Sequence, residues 1–140
     1  MKKLSLAFVF GLFCVFQAHA EEPMEFFVTV THADAQSQGI ALVLAGQALE
    51  QKARVRILLC AEGGQLAVKS KESMLLKPRN ITPKEMLLGL LKKGVQVDVC
   101  ALFLPNSDWK ASDLLDGIGV AKPNEVVGML LQPNVRALTF

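Results

Sequence analysis

At 140 residues, with fifteen basic against thirteen acidic side chains, the chain carries a formal net charge of only +2. Lys2 and Lys3 supply that excess, so residues 21–140 are formally neutral and hold no basic patch suited to nucleic acid or an anionic membrane surface. No internal repeat or low-complexity segment is present.

The chain opens with Lys2 and Lys3, an apolar run from Leu4 to Phe16 and a small-x-small site at Ala18-His19-Ala20, the three parts of a secretory signal peptide. The run is shorter than the roughly 20 apolar residues a spanning helix needs. Residues 1–20 are therefore expected to be removed after Ala20, taking Cys14 and His19 with them. Phe13 stands where a lipoprotein signal carries a small residue, which argues against a lipid anchor at Cys14. Residues 21–140 are then expected to form one domain with one core, a normal size for it, in a bacterial periplasm and without stable membrane insertion.

Glu25 to Val30 is rich in aromatic and β-branched residues and reads as a first strand. Thr31 to Asp34 turns into a helix over about 34–51, where Ile40, Val43, Leu44 and Ala48 fall at helical spacing. Gly39 and Gly46 share a face seven residues apart and are expected to let this helix sit close to a sheet, at roughly 1 kcal/mol each relative to alanine. Arg54 to Leu59 is a second strand ending at Cys60, broken by Ala61-Glu62-Gly63-Gly64. Gln65 to Lys69 suits a short helical turn, and Ser70 to Ile81, which has no clean period, reads as a flap. The next helix is the best punctuated: Thr82 caps it, Pro83 fits its first position, Glu85 closes a capping box and Gly94 suits a left-handed stop. Val95, Val97 and Val99 then alternate with Gln96 and Asp98, and Cys100 to Phe103 runs on as an apolar segment, which fits a central parallel strand covered on both faces and ended by Pro105-Asn106-Ser107. A short helix over 112–116, a short strand over 117–121, a helix from Pro123 to about Leu131 and a last strand over 135–139 complete the pattern. Five strands alternating with helices imply a three-layer α/β/α sandwich with a five-stranded, mostly parallel sheet.

Ligands collect at the carboxyl ends of such strands, and His32, Cys60 and Cys100 all lie at or just after strand ends. Cys100 is the leading candidate, as a thiolate that takes a sulfane sulfur and holds it as a persulfide. A strand cysteine is as often a small buried hydrophobe, and the residues alone leave the two open. Asp98, on the same face in a regular strand, would raise the Cys100 pKa. Cys60 is a candidate resolving thiol, a disulfide partner or a core residue, depending on whether its strand neighbours that of Cys100. His32, the single histidine of residues 21–140, is a candidate proton donor or thiolate partner, though a turn residue in the plainer reading. No C-x-x-C or H-x-x-x-H spacing supports zinc, Gly63-Gly64 makes no phosphate or dinucleotide motif, and no cofactor is expected. Phe103 and Trp109 suit the core better than a pocket mouth or an oligomer contact.

LLCAEGGQLAV (58–68), NITPKEMLLGLLKKGVQVDVCALFLPN (80–106) and the closing VRALTF (135–140) together resemble the DsrE/DsrF-like family, which includes the YchN-like proteins. That resemblance implies a five-stranded parallel sheet with helices on both faces, assembled as a homotrimer or larger homo-oligomer. In sulfur-relay members a cysteine matching Cys100 carries persulfide sulfur between partner proteins. The expected function is thus a periplasmic sulfur-carrier or thiol-redox protein using Cys100, with a sulfur donor or acceptor protein as partner. The alternative is a non-enzymatic oligomeric protein that binds a small ligand or partner and whose cysteines are structural.

Overall fold

The computed structural model describes residues 22–140, so the expected signal segment, with Cys14 and the cleavage site, lies outside the described residues. Among those described, β1 (Glu25–Val30), α1 (Ala35–Glu50), β2 (Arg54–Leu59), α2 (Pro83–Lys92), β3 (Gln96–Val99), β4 (Ile118–Val120), α3 (Pro123–Leu130) and β5 (Val135–Thr139) follow in order, with 3-10 segments at Ala61–Ala67, Leu104–Asn106 and Ala111–Asp113. The strands form one sheet in the order β4-β3-β2-β1-β5. Every pairing is parallel, with Val30 opposite Leu59 and Leu59 opposite Val99.

Successive strands step one way from β1 to β4, and the chain then returns to place β5 beside β1. Right-handed crossovers put α1 and α2 on one face and α3, whose crossover runs the opposite way, on the other. α1 and α2 pack on each other, and α3 packs on β5. The result is the expected three-layer α/β/α sandwich, with the sheet parallel throughout.

The alternation of the strands decides where the core sits. Val28 and Val30, Val55, Ile57 and Leu59, and Val97 and Val99 point to one face, where they pack with Ala41, Leu42 and Ala45 of α1 and with Leu87 and Leu90 of α2. Each such side chain stabilises the fold by about 1.5–3 kcal/mol when fully buried. The opposite parity carries Arg54, Arg56, Gln96 and Asp98, together with the buried Glu25 and Phe27. Glu25 sits between Arg54 and Arg56, at 3.1 and 2.8 Å, so its desolvated carboxylate has two cationic partners.

α2 begins and ends where its punctuation places it. The Thr82 hydroxyl accepts from the Glu85 amide at 3.1 Å, and the Glu85 carboxylate accepts from the Thr82 amide at 2.8 Å. Gly94 beyond its end has φ 84°, a conformation glycine adopts without strain.

The fold departs from sequence expectation in four places. The central strand is β2 and not the one that leads to Cys100. β3 stops at Val99, and the apolar run after it is a turn closed by the Phe103 amide donating to the Cys100 carbonyl at 2.8 Å. That turn buries the Phe103 ring and leaves Leu102 exposed, so the run serves one aromatic and not a strand covered on both faces. In α1 the buried face is Ala41, Leu42 and Ala45, while Ile40 and Val43 face outward; the helix is apolar around much of its circumference, so its period does not pick out one face. Finally, Gly39 makes room for Leu76 of the 70–81 loop, and Gly46 faces Leu90 of α2, so neither glycine serves sheet contact.

Leu87→Ala, which opens a cavity among fully buried neighbours, is expected to cost about 2–5 kcal/mol, whereas Leu102→Ala should stay within about 0.5 kcal/mol. Denaturant unfolding midpoints of the two variants test this, and equal shifts would contradict the assignment of the core face.

Candidate functional site

The carboxyl ends of the strands are held by backbone hydrogen bonds that continue the ladder one residue past the strands. The Cys60 amide donates to Val30 at 2.8 Å, the Cys100 amide to Leu59 at 2.8 Å, the Ala121 amide to Val99 at 2.9 Å and the Phe140 amide to Thr29 at 2.9 Å. Because Leu59 faces Val99 across neighbouring strands, Cys60 and Cys100 emerge side by side on the same face. Both are half-buried free thiols. The register sets the two residues side by side, near enough for Cys100 to act on Cys60. Burial first, then the neighbouring Cys100 thiol, pushes the Cys60 thiol up from 9.0 to about 12. Cys60 therefore keeps its proton at neutral pH.

The backbone after Cys60 is held tightly. Ala61 has φ 47°, a left-handed conformation that costs a non-glycine residue about 1–3 kcal/mol. The Gly63 amide donates to the Thr31 carbonyl at 3.0 Å, and a Cβ on Gly63 would collide with the Val30 carbonyl. Gly64 likewise lies under the Phe103 ring. These two glycines let the 3-10 segment fold directly across the end of β1, which fixes Cys60 from its carboxyl side. Beyond Cys100, Phe103 stacks on Trp109 with ring centroids 5.6 Å apart, and Lys71 Nζ lies 5.3 Å from the Trp109 centroid.

His32 stands apart from the cysteines. Its ring is exposed, and Nδ1 lies 3.0 Å from the Thr31 hydroxyl. That hydroxyl donates its only proton to the Phe140 carbonyl at 2.7 Å, so in the neutral ring Nδ1 carries the hydrogen and Nε2 is the free acceptor. None of the hydrogen bonds among the described residues joins His32 to Cys60 or Cys100. Asp98, paired with Gln96 at 2.9 Å, has Gly119 as its cross-strand neighbour.

The 70–81 loop forms a wall beside this edge. A cavity of about 380 Å³ lies between it and the start of α1, lined by Asp34, Gln38, Gln65, Lys71, Glu72 and Lys84 among others, and by neither cysteine nor His32. Lys84 anchors the loop: its ammonium donates to the Val68 carbonyl at 2.7 Å and also to those of Lys69 and Lys71. Burial lowers its pKa. No local signal marks Lys84, since its partners are main-chain carbonyls that any residues would present. Among the described residues no cluster of three or more His, Cys, Asp or Glu side chains is placed to hold a metal ion, and no helix is long and apolar enough to cross a membrane.

Two measurements follow from these contacts. A thiol that stays protonated to about pH 12 in the folded chain but ionises near 9.0 when unfolded makes the unfolded state bind fewer protons between those values. Stability should therefore fall as pH rises from about 9 toward 12. Cys60→Ser should flatten that component, and an unchanged slope in chemical denaturation would contradict it. Lys84→Met should speed proteolytic nicking within residues 70–81 while leaving the core's unfolding cooperative; an unaltered cleavage pattern would show that the loop is held by other contacts.

No family model matches the chain, and no curated protein matches its sequence. Among solved structures, the YchN protein from E. coli superposes with a TM-score of 0.66 at 19% identity, covering 85% of this chain and 100% of that one. MTH1491 from Methanobacterium thermoautotrophicum, a protein of unknown function, superposes with a TM-score of 0.63 at 15% identity, covering 84% of this chain and 99% of its own. Both neighbours are DsrE/DsrF-like structures. The chain thus has the YchN-like fold that its sequence resemblance leads one to expect.

Proposed function

We propose that this is an exported sulfur-carrier or thiol-redox protein in which Cys100 accepts or exchanges sulfane sulfur. The observation that carries this reading is the side-by-side placement of Cys60 and Cys100 at the carboxyl edge of a parallel sheet, where such folds place their chemistry. Burial holds the proton on Cys60, so the first attack is assigned to Cys100. Its thiolate displaces the thiolate of a donor persulfide at the sulfane sulfur, one S–S bond forming as another breaks. The apolar signal-like segment ahead of residue 21 supports a periplasmic setting.

After incubation of the reduced protein with inorganic polysulfide, Cys60→Ser should gain the mass of one sulfur, mapped to the Cys100 peptide, and the variant lacking both thiols should gain none there. Absence of the gain, together with Cys100 resisting alkylation in the folded protein, would remove the reading.

A homo-oligomer, trimeric or larger, is part of the same proposal. α3 has no buried residue in the single chain, and Val127, Leu130 and Leu131 lie exposed along it, with Leu131 at 79%. An apolar helix face of this kind suits contact with a second copy. Leu131→Asp should lower the mass measured by light scattering toward that of one chain; a wild type that is already monomeric would overturn this part.

A further inference from the structure

The thiol pair also has a second step available to it, which rests on the sulfur-accepting reading of Cys100. We infer that Cys60 resolves the Cys100 persulfide, so that the protein releases its sulfur as hydrosulfide and ends with a Cys60–Cys100 disulfide.

The geometry carries this. Cys60 and Cys100 each follow the last residue of hydrogen-bonded parallel strands whose residues Leu59 and Val99 are in register. Their α-carbons are therefore one strand spacing apart, about 4.8 Å, inside the roughly 4.4–6.8 Å range that a disulfide spans. Both side chains leave the same face of the sheet. No strand need move for the bond to form. The backbone on either side is fixed by the amide bonds to Val30 and Leu59, and by the close approach of Gly63 to Val30. A nucleophile held this way gains much of its rate from position alone.

The step balances without another reactant. Cys100 holds a persulfide anion, with its inner sulfur beside the Cys60 thiol. The Cys60 sulfur attacks that inner sulfur, the bond between inner and outer sulfur breaks, and the Cys60 proton passes to the departing outer sulfur, which leaves as hydrosulfide. In this step the Cys60 sulfur is oxidised to the disulfide level as the outer, sulfane sulfur is reduced to sulfide, the Cys100 sulfur keeps its level, and the charge is unchanged. The Cys60 S–H is the proton source. Cys100 reacts first with the outside donor, and Cys60 attacks only once Cys100 is loaded, because only then does the Cys100 sulfur carry a leaving group. Resetting the site then takes an external dithiol reductant, which returns both thiols.

The reduced full chain is loaded anaerobically with inorganic polysulfide, freed of excess reagent, and followed for sulfide and by peptide mapping. The wild type should release one equivalent of sulfide for each Cys60–Cys100 disulfide formed, and added dithiothreitol should restore both thiols. Cys60→Ser and Cys60→Ala, each checked for folding by circular dichroism, should retain the sulfur on Cys100 until an external thiol is added. A wild type that keeps its persulfide with Cys60 free, or Cys60 variants that release sulfide at the wild-type rate, would overturn the inference while leaving Cys100 as a sulfur acceptor. Failure of the Cys60 variants to load at all would instead remove the reading on which it rests.

Discussion

The hydrogen bond from the Cys100 amide to the Leu59 carbonyl extends the parallel pairing of β2 and β3 by one residue, and the site depends on that extension. Parallel strands in register send equivalent residues to the same face, so two cysteines that each follow the last strand residue are brought together by the ladder itself. A slip of one residue would send one thiol to the helix-covered core face and the other to the polar face. The buried side chains of the core face oppose that slip, because it would carry Val97 and Val99 out of contact with α1 and α2. The energy that holds the thiols in register is thus mostly the energy of the core.

Around this pair the chain spends conformational freedom in specific places. Ala61 is held in a left-handed conformation directly after Cys60, and Gly63 and Gly64 permit contacts that a side chain would block. Strain of this sort persists only where the surroundings over-determine it. Here the surroundings are the amide of Gly63 on Thr31 and the Phe103 ring over Gly64. The turn from Cys100 to Phe103 belongs to the same arrangement: ending β3 early lets Phe103 fold back onto Gly64 and stack on Trp109.

The two thiols are chemically unequal although their backbones are nearly equivalent. Cys60 lies on the central strand, flanked by β1 and β3, and its proton is retained by burial and by its neighbour. Cys100 follows a four-residue strand and begins the turn that the Phe103 amide closes. Unequal partners suit a sequence of two reactions, one thiol reacting with an outside sulfur and the other with its neighbour, better than they suit an inert pair. His32, by contrast, is tied through Thr31 to the end of β5 and orients its free nitrogen independently of the thiols.

Much of the architecture was legible in the residues. α2 was readable to its ends because Thr82, Pro83, Glu85 and Gly94 act on backbone groups within a turn of themselves, and β1, β2 and β5 were readable because β-branched and aromatic residues bounded by turns leave little choice. α1 was placed correctly but its inner face was not, since alanines at 41 and 45 do the packing while larger Ile40 and Val43 point outward. The extent of β3 is not legible in the residues, because an apolar run has the same appearance whether it continues a strand or turns to bury one aromatic. That Cys60 and Cys100 were candidate chemistry came from residue type and from their positions at strand ends. That they stand side by side could come only from the tertiary structure, because strand order and register are set by how five separated segments share one core, and no residue near either cysteine encodes which strand will lie beside it.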